Sequence, residues 1–144
     1  MDEAIKVRDF QFPDDYHAVY DLWSKAGEGI HLRSSDTFSG IKAKVERDPD
    51  LFIVAERGGE IIGAVLGGFD GRRGMVYHLA VSSSFRRSGI GRMLMEELES
   101  RLRAKGCIRY YLLVTRDNST AIRFYENSGW KNMEDLIILG KDIT

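Results

Sequence analysis

A nearly continuous apolar stretch, Met75–Val81, precedes the most regular helical pattern of the chain, Gly89–Lys105. In that pattern Ile90, Leu94 and Leu98 fall on one side, and charged residues occupy the others. An apolar run as short as the first stretch predicts a strand that is covered on both faces. A strand of this kind, followed closely by an amphipathic helix, favours a fold in which helices cover a sheet.

The rest of the chain supplies further elements of both kinds. Strands are predicted at Ile5–Phe12, Leu51–Glu56, Ile61–Gly67 and Ile108–Val114, with one or two more between Trp130 and Ile143, and helices from Pro13, over Asp36–Asp48 and over Asn118–Ser128. The Gly58-Gly59 pair between two apolar runs predicts a tight hairpin. This order of elements is typical of a mixed-sheet α/β or α+β fold.

Length and composition exclude several classes of protein. The 144 residues are one domain's length, so we expect a single domain over residues 1–144. A net charge of −1 argues against a general nucleic-acid binder. The apolar runs fall far short of the ~18 residues of a membrane helix. With one cysteine and no signal segment at the N-terminus, we expect a cytoplasmic protein.

An arginine- and glycine-rich segment joins the apolar strand to the helix. It consists of Arg86, Arg87, Ser88, Gly89, Ile90, Gly91 and Arg92. Arginines are unfavourable at the positive end of an empty helix, whereas a phosphate group there would be stabilised by the unpaired amides. The segment lacks the third glycine of a dinucleotide fingerprint and the lysine of a nucleotide-triphosphate loop. It is either an anion site of another kind or a solvated basic rim.

Two motifs carry a resemblance to a known family. Arg86-x-x-Gly89-x-Gly91, after Leu79-Ala80-Val81, resembles the acetyl-CoA motif of the GNAT superfamily of N-acetyltransferases. Asn118-Ser119-x-Ala121-x-x-Phe124-Tyr125-Glu126-x-x-Gly129-Trp130 resembles its C-terminal signature. The match covers residues 5 to 140 and is similar to small bacterial and archaeal members, including N-terminal acetyltransferases of ribosomal proteins. It implies a mixed central sheet of six to seven strands with splayed central strands, flanked by about four helices.

The resemblance also implies roles for individual residues. It assigns to acetyl-CoA binding the residues Leu79, Ala80, Val81, Arg86, Arg87, Ser88, Gly89, Ile90, Gly91, Arg92, Asn118, Ala121 and Tyr125. Main-chain groups of Leu79 and Val81 would pair with the pantetheine arm, and the Arg87–Arg92 backbone would hold the pyrophosphate. Tyr125 would donate a proton to the departing thiolate. The alternatives are that Asn118 only caps a helix and that Tyr125 only fills the core.

No general base can be assigned in this way. The positions where relatives carry one are Met75 and Leu113 here, and neither side chain accepts a proton. By strand alternation Tyr77 shares a face with Met75, either as a proton relay or as a core residue, and His78 points to the opposite face as a buried structural histidine. Glu28, His31 and Asp36 border the acceptor site in relatives. We assign Glu28, His31 and Tyr77 to the acceptor site.

The sequence therefore predicts an acetyltransferase that moves an acetyl group from acetyl-CoA to a primary amine by direct attack in a ternary complex. The alternatives are a catalytically weak CoA-binding regulatory or sensor module of the same fold and, more distantly, a protein-interaction domain. The three histidines and one cysteine show no metal-ligand spacing, so no metal is expected. The acceptor stays open among a peptide N-terminus, a lysine, a polyamine, an amino acid and an aminoglycoside. We expect no nucleic-acid or membrane partner, and a homodimer stays open.

Overall fold

A computed structural model describes residues 4–26 and 30–144. Its elements are, in chain order, β1 (Lys6–Asp9), α1 (Tyr16–Ser24), α2 (Phe38–Arg47), β2 (Phe52–Arg57), β3 (Glu60–Phe69), β4 (Gly74–Val81), α3 (Ile90–Ala104), β5 (Tyr110–Leu112) and α4 (Ser119–Asn127). Single turns of 3-10 helix, Ser34–Asp36 and Ser83–Phe85, come before α2 and α3.

The five described strands form one mixed sheet in the order β1-β2-β3-β4-β5. Neighbouring strands are antiparallel from β1 to β4, and β5 runs parallel to β4. The hairpin between β2 and β3 turns at Gly58 and Gly59, whose φ angles of 60° and 81° lie in the left-handed region that a tight turn requires. The mixed sheet with helices predicted from the sequence is confirmed.

Helices cover both faces of the sheet. Helices α1 and α2 lie on one face, the α1/α2 face, where Trp23, Ile41 and Phe52 are fully buried. Helix α3 covers the opposite α3/α4 face through its apolar stripe, and α4 packs beside it through Phe124 and Tyr125. Each large apolar side chain buried in this way contributes roughly 1.5–3 kcal/mol to folding. The two cores therefore enclose β3 and β4 from both faces of the sheet.

The expected strand count of six to seven is wrong, because five strands are formed in the part of the chain that the structure describes. Strand β5 spans three residues rather than the predicted Ile108–Val114. The predicted strand region between Trp130 and Ile143 contains no strand, and Ile137 and Leu139 are more than 80% exposed. A strand is stabilised by hydrogen bonds to a neighbour, and the local apolar pattern alone does not provide one.

Candidate active site

The neighbouring parallel strands β4 and β5 separate partway along their length. They pair at Gly74–Tyr110, Met75–Tyr111 and Val76–Leu112, and β5 ends there. Strand β4 continues for five more residues to Val81. A gap therefore opens beyond the end of β5, bordered by β4 on one side.

The main chain of β4 faces this gap at alternate residues. The Ser82 amide donates to the Ile62 carbonyl at 2.8 Å, which makes that pair a hydrogen-bonded one. From Ser82 backward, every second residue of β4 down to His78 is hydrogen-bonded to β3 in the same way. Leu79 and Val81 lie between these residues and therefore direct their N–H and C=O groups away from β3. The amides of both residues face the gap, and Arg86 Nε lies 3.4 Å from the Val81 carbonyl.

Ala80, which the resemblance assigned to cofactor binding, differs from Leu79 and Val81 in the direction of its main chain. Ala80 sits opposite Ala64 in a position of the register that hydrogen-bonds to β3. Its methyl group is buried in the core of the α1/α2 face. Neither its main chain nor its side chain therefore faces the gap.

A β-bulge interrupts β4 where the gap begins. Leu66 faces His78 and Gly67 faces Val76, so Tyr77 is the extra residue of β4. The bulge breaks the alternation on which the sequence analysis relied. The prediction that His78 lies on the opposite face from Tyr77 is therefore wrong.

Both residues of the bulge project onto the α1/α2 face. The Tyr77 ring lies 5.8 Å from Nζ of Lys44 in α2, and 55% of the residue is exposed, so it is not a core tyrosine. The His78 ring packs edge-on against Trp23 of α1 at 4.9 Å. His78 Nε2 lies 2.9 Å from Oδ1 of Asp36, which is buried.

A cavity of about 100 Å³ lies where the strands separate. Residues from β4, from the segment after β5 and from α4 line it: Val76, Tyr77, His78, Leu79, Leu112, Leu113, Val114, Asn118, Ala121 and Tyr125. The fold thus brings together Tyr77, Leu79, Asn118, Ala121 and Tyr125, which were selected from the sequence. Leu113 lies in the wall, and no general base stands at its position.

The arginine- and glycine-rich segment leads directly into α3. Gly89 is the N-cap, with a φ of 86°, and no side chain caps the helix. A side chain added at Gly89 would meet no atom within 4 Å, so the space in front of the helix is open. Among the described residues, neither Arg87 nor Arg92 has an ion-pair partner. Unpaired amides and unpaired guanidinium groups suit an anion such as the pyrophosphate of CoA.

Three further residues of this segment have structural roles. Ser88 Oγ donates to the Phe85 carbonyl and so holds the loop closed. The Ile90 side chain is buried, which leaves only its main-chain amide for a ligand. Gly91 lies against Phe124 of α4, whose Cζ would be 3.3 Å from an added Cβ. A small residue at position 91 therefore lets α4 approach α3.

Helix α4 brings its N-terminal residues to the cavity. Asn118 is its N-cap and Oδ1 accepts the Ala121 amide at 3.2 Å, as the capping alternative predicted. The cap uses only the carbonyl oxygen, and the Asn118 NH₂ group stays available for a ligand. Ala121 adds a small side chain to the wall beside it.

Tyr125 closes the cavity from α4. Its ring packs edge-on against Phe124 at 5.1 Å and Trp130 at 5.7 Å. Burial raises the pKa of the Tyr125 phenol to about 12. The hydroxyl therefore keeps its proton at neutral pH and is available as a hydrogen-bond donor.

Of the other two predicted acceptor residues, only His31 is among the described residues. Glu28 lies outside the described residues. His31 is exposed and is not among the residues that line the cavity. Sequence reasoning missed the pair formed by His78 and Asp36, because the bulge that orients His78 depends on the register with β3.

Residues 4–26 and 30–144 contain neither a side-chain cluster of the metal-binding type nor a membrane-spanning helix. No cluster of three or more His, Cys, Asp or Glu side chains suited to a metal ion is found among them. No helix in these ranges has the length and apolar character needed to cross a membrane.

Comparisons with known proteins agree with this geometry. The model of the acetyltransferase (GNAT) family matches residues 16–130. An acetyltransferase of Pectobacterium atrosepticum is 42% identical over 137 residues, covering 95% of this chain and 94% of the relative. The crystal structure of Ard1 from Thermoplasma volcanium has a TM-score of 0.78 at 28% identity, over 88% of this chain and 82% of that one.

A further structure shares the fold at lower identity. PaiA N-acetyltransferase from Thermoplasma acidophilum, solved in complex with coenzyme A, has a TM-score of 0.73 at 21% identity, over 89% of this chain and 90% of its own. The fold, the family model and the relatives agree with the two motifs found in the sequence. The chain therefore belongs to the GNAT family of acetyltransferases, which use acetyl-CoA as the acetyl donor.

Proposed function

We propose that this protein transfers the acetyl group of acetyl-CoA to a primary amine by direct attack in a ternary complex. The observation that carries the proposal is the cavity between β4 and β5, where Leu79, Asn118, Ala121 and Tyr125 meet. Acetyl-CoA supplies a thioester whose carbonyl carbon is the electrophile. The residues around the gap bind and orient it.

The loop and the strand divide the binding of the donor between them. The amides at the start of α3 and the unpaired Arg87 and Arg92 suit the pyrophosphate. The Leu79 and Val81 amides, directed into the gap, suit the pantetheine arm as an added strand would. The Val81 amide is also placed to donate to the oxygen that gains charge as the amine attacks.

Tyr125 acts on the leaving group. A thiol titrates near ~8.5, well below the phenol's pKa of about 12, so full proton transfer from Tyr125 to the thiolate is uphill in the free protein. The phenol therefore stabilises the departing sulfur first by donating a hydrogen bond. Proton transfer is completed as the amide nitrogen loses its own proton.

A matched pair of substitutions tests the donor site. Gly89→Asn and Gly89→Asp have side chains of the same shape, both tolerate a positive φ, and both fit the open space at this position. We expect calorimetric titration to show acetyl-CoA binding in the wild type and in Gly89→Asn. The Asp carboxylate repels the phosphates, so Gly89→Asp should bind at least about 10-fold more weakly. Equal affinities of the two variants would contradict an anion site at α3.

The acceptor chemistry is tested by the release of free CoA. Spermidine, kanamycin, an alanine-initiated peptide and a lysine-containing peptide cover the amine classes left open by the sequence. Amine-dependent CoA release supports the proposed transfer. The second candidate, a CoA-binding sensor, is favoured by the apolar Met75 and Leu113 and predicts binding without release. No binding at millimolar acetyl-CoA would exclude both functions.

A further inference from the structure

We propose that His78, held in place by Asp36, accepts the proton that the amine loses when it attacks the acetyl group. This inference rests on the proposed function and adds the proton acceptor that Met75 and Leu113 do not provide. The group it would serve is a primary ammonium, which must be deprotonated before its nitrogen can act as a nucleophile. His78 would touch the amine, and Asp36 would act as a positioning residue.

Asp36 is fixed by contacts on all four of its polar atoms, including its main-chain amide, which donates to the Arg33 carbonyl at 2.9 Å. Its side chain is only 5% exposed, Oδ2 accepts the Arg33 amide at 2.9 Å and Oδ1 faces His78 Nε2 at 2.9 Å. Its main-chain carbonyl accepts the Tyr16 hydroxyl at 2.9 Å. A buried carboxylate is unfavourable without partners, so these contacts lock its orientation toward the histidine.

This contact determines which nitrogen of His78 is available. A carboxylate only accepts hydrogen bonds, so Nε2 carries the hydrogen and Nδ1 carries the free lone pair. Nδ1 has no hydrogen-bond partner among the described residues, and the His78 side chain keeps 12% exposure. His78 therefore combines a fixed tautomer with a nitrogen that is free to accept a proton.

The location of His78 suits an incoming amine. It belongs to the cavity wall at the point where β4 and β5 separate, and the bulge turns its ring onto the α1/α2 face. The arginine- and glycine-rich segment and Tyr125 lie toward the α3/α4 face. Donor and acceptor would thus approach the gap from opposite faces of the sheet, with the proton acceptor on the side of the amine and the thiolate donor on the other.

Charged and titratable groups from three helices and a turn surround His78. Asp36, in the turn before α2, places its carboxylate against Nε2 at 2.9 Å. Tyr16 of α1 reaches Asp36, Lys44 of α2 lies over the neighbouring Tyr77, and Tyr125 of α4 shares the cavity. Of these groups, the carboxylate is the one in direct contact with the imidazole.

The proton balance of the reaction requires one acceptor and one donor. His78 Nδ1 takes a proton from the ammonium, the nitrogen bonds to the acetyl carbon, and the bond from that carbon to sulfur breaks. The thiolate receives its proton from Tyr125, which regains one from the amide nitrogen. His78 later releases its proton to solvent, so the products are the amide, CoA and one proton.

The test compares His78→Gln and Asp36→Asn with His17→Gln, an exposed histidine of α1 that serves as the matched control. Acetyl-CoA affinity is measured by calorimetry, and amine-dependent CoA release is followed from pH 6 to 10 with the amines named above. We expect His78→Gln to bind acetyl-CoA normally and to lose about 10²–10⁴-fold in kcat near pH 7. The loss should shrink toward pH 10, where an alkylamine deprotonates by itself.

Asp36→Asn provides a readout that a merely structural role would not change. Without the carboxylate, the hydrogen is no longer fixed on Nε2, so kcat should fall near pH 7 while acetyl-CoA affinity stays within a few-fold of the wild type, and the loss should shrink toward pH 10 as in His78→Gln. Wild-type activity in His78→Gln, or wild-type kcat in Asp36→Asn, would overturn this inference and leave the proposed function standing. If His78→Gln fails to bind acetyl-CoA, the kcat of Asp36→Asn decides. No amine-dependent release by the wild type would overturn both proposals.

Discussion

Tyr125 is the residue at which chemistry and packing are most directly linked. The ring is held between Phe124 and Trp130, and the residue lines the cavity. Because Phe preserves the ring and its packing, Tyr125→Phe should leave acetyl-CoA affinity within a few-fold of the wild type. The loss of the donor to the departing sulfur should lower kcat for CoA release by about 10²-fold or more. Unchanged turnover would remove Tyr125 from the reaction.

The tyrosines also predict how stability depends on pH. Burial raises the pKa of the Tyr125 phenol to about 12, and burial together with the Glu99 carboxylate, 2.6 Å from the Tyr110 hydroxyl, raises the pKa of Tyr110 further. In the unfolded chain a tyrosine ionises near ~10, so above that pH the unfolded state binds fewer protons than the folded state. Above pH 10 the free energy of unfolding should then fall with a slope that approaches about 1.4 kcal/mol per pH unit for Tyr125, and the more exposed Tyr110 should add a smaller slope because solvent screens its contact with Glu99.

Urea unfolding at pH 9, 10 and 11 measures this decline. The stabilising contribution is fully present below pH 10 and is lost as the pH rises toward the folded-state pKa values. Tyr125→Phe and Tyr110→Phe should each make the decline less steep, because each substitution removes a phenol proton that the folded state keeps and the unfolded state loses. A decline as steep in both variants as in the wild type would contradict the assignment.

At the scale of elements, the packing of α3 on β3 gives a sharp test of the core. A Cβ added to Gly67 would lie 2.6 Å from Cδ1 of Leu98, which is completely buried in α3. Gly67→Ala should therefore lower the free energy of unfolding by about 1–3 kcal/mol in urea titrations. Gly140→Ala, where the added atom meets nothing within 4 Å, should be close to neutral. In a Leu98→Ala background, Gly67→Ala should lose its destabilising effect, and persistence of that effect would show that the clash is not its cause.

The elements that the sequence predicted well are those whose signal is local. The α3 stripe, the Gly58-Gly59 hairpin and the glycine-rich loop each follow from a pattern within about fifteen residues. The proposed anion site could be predicted for the same reason, and its assignment to acetyl-CoA stays a prediction. It lies at a helix start, and a helix start can be recognised in the sequence.

The features that sequence reasoning missed depend on partners distant in the chain. The bulge at Tyr77 arises from the register between β3 and β4, and the contact of His78 with Asp36 joins residues 42 positions apart. The apolar Leu136–Leu139 has the composition of a strand, yet it is exposed because none of the described strands pairs with it. Alternation and composition describe one segment at a time, so neither of them could reveal these outcomes.

At the scale of the whole molecule, the site and the core share the same elements. Strand β4 pairs with both β3 and β5, α3 follows the arginine- and glycine-rich segment and carries the main apolar stripe, and α4 is packed on α3 through Phe124 and Gly91. A ligand bound across β4, α3 and α4 contacts elements of one core, which we expect to unfold together. Acetyl-CoA binding should therefore stabilise the entire fold and not a local segment.

This coupling predicts a thermal shift of defined size. At acetyl-CoA concentrations of about 100 times Kd, the free energy of unfolding should rise by about 2.7 kcal/mol, which for a chain of this length raises Tm by roughly 5–10 °C. Scanning calorimetry should show one transition that moves as a whole, in the wild type and in Gly89→Asn. The same concentration should raise the Tm of Gly89→Asp much less, because the added carboxylate would repel the phosphates of acetyl-CoA. An equal shift in Gly89→Asp would mean that acetyl-CoA stabilises the fold from a place other than the start of α3.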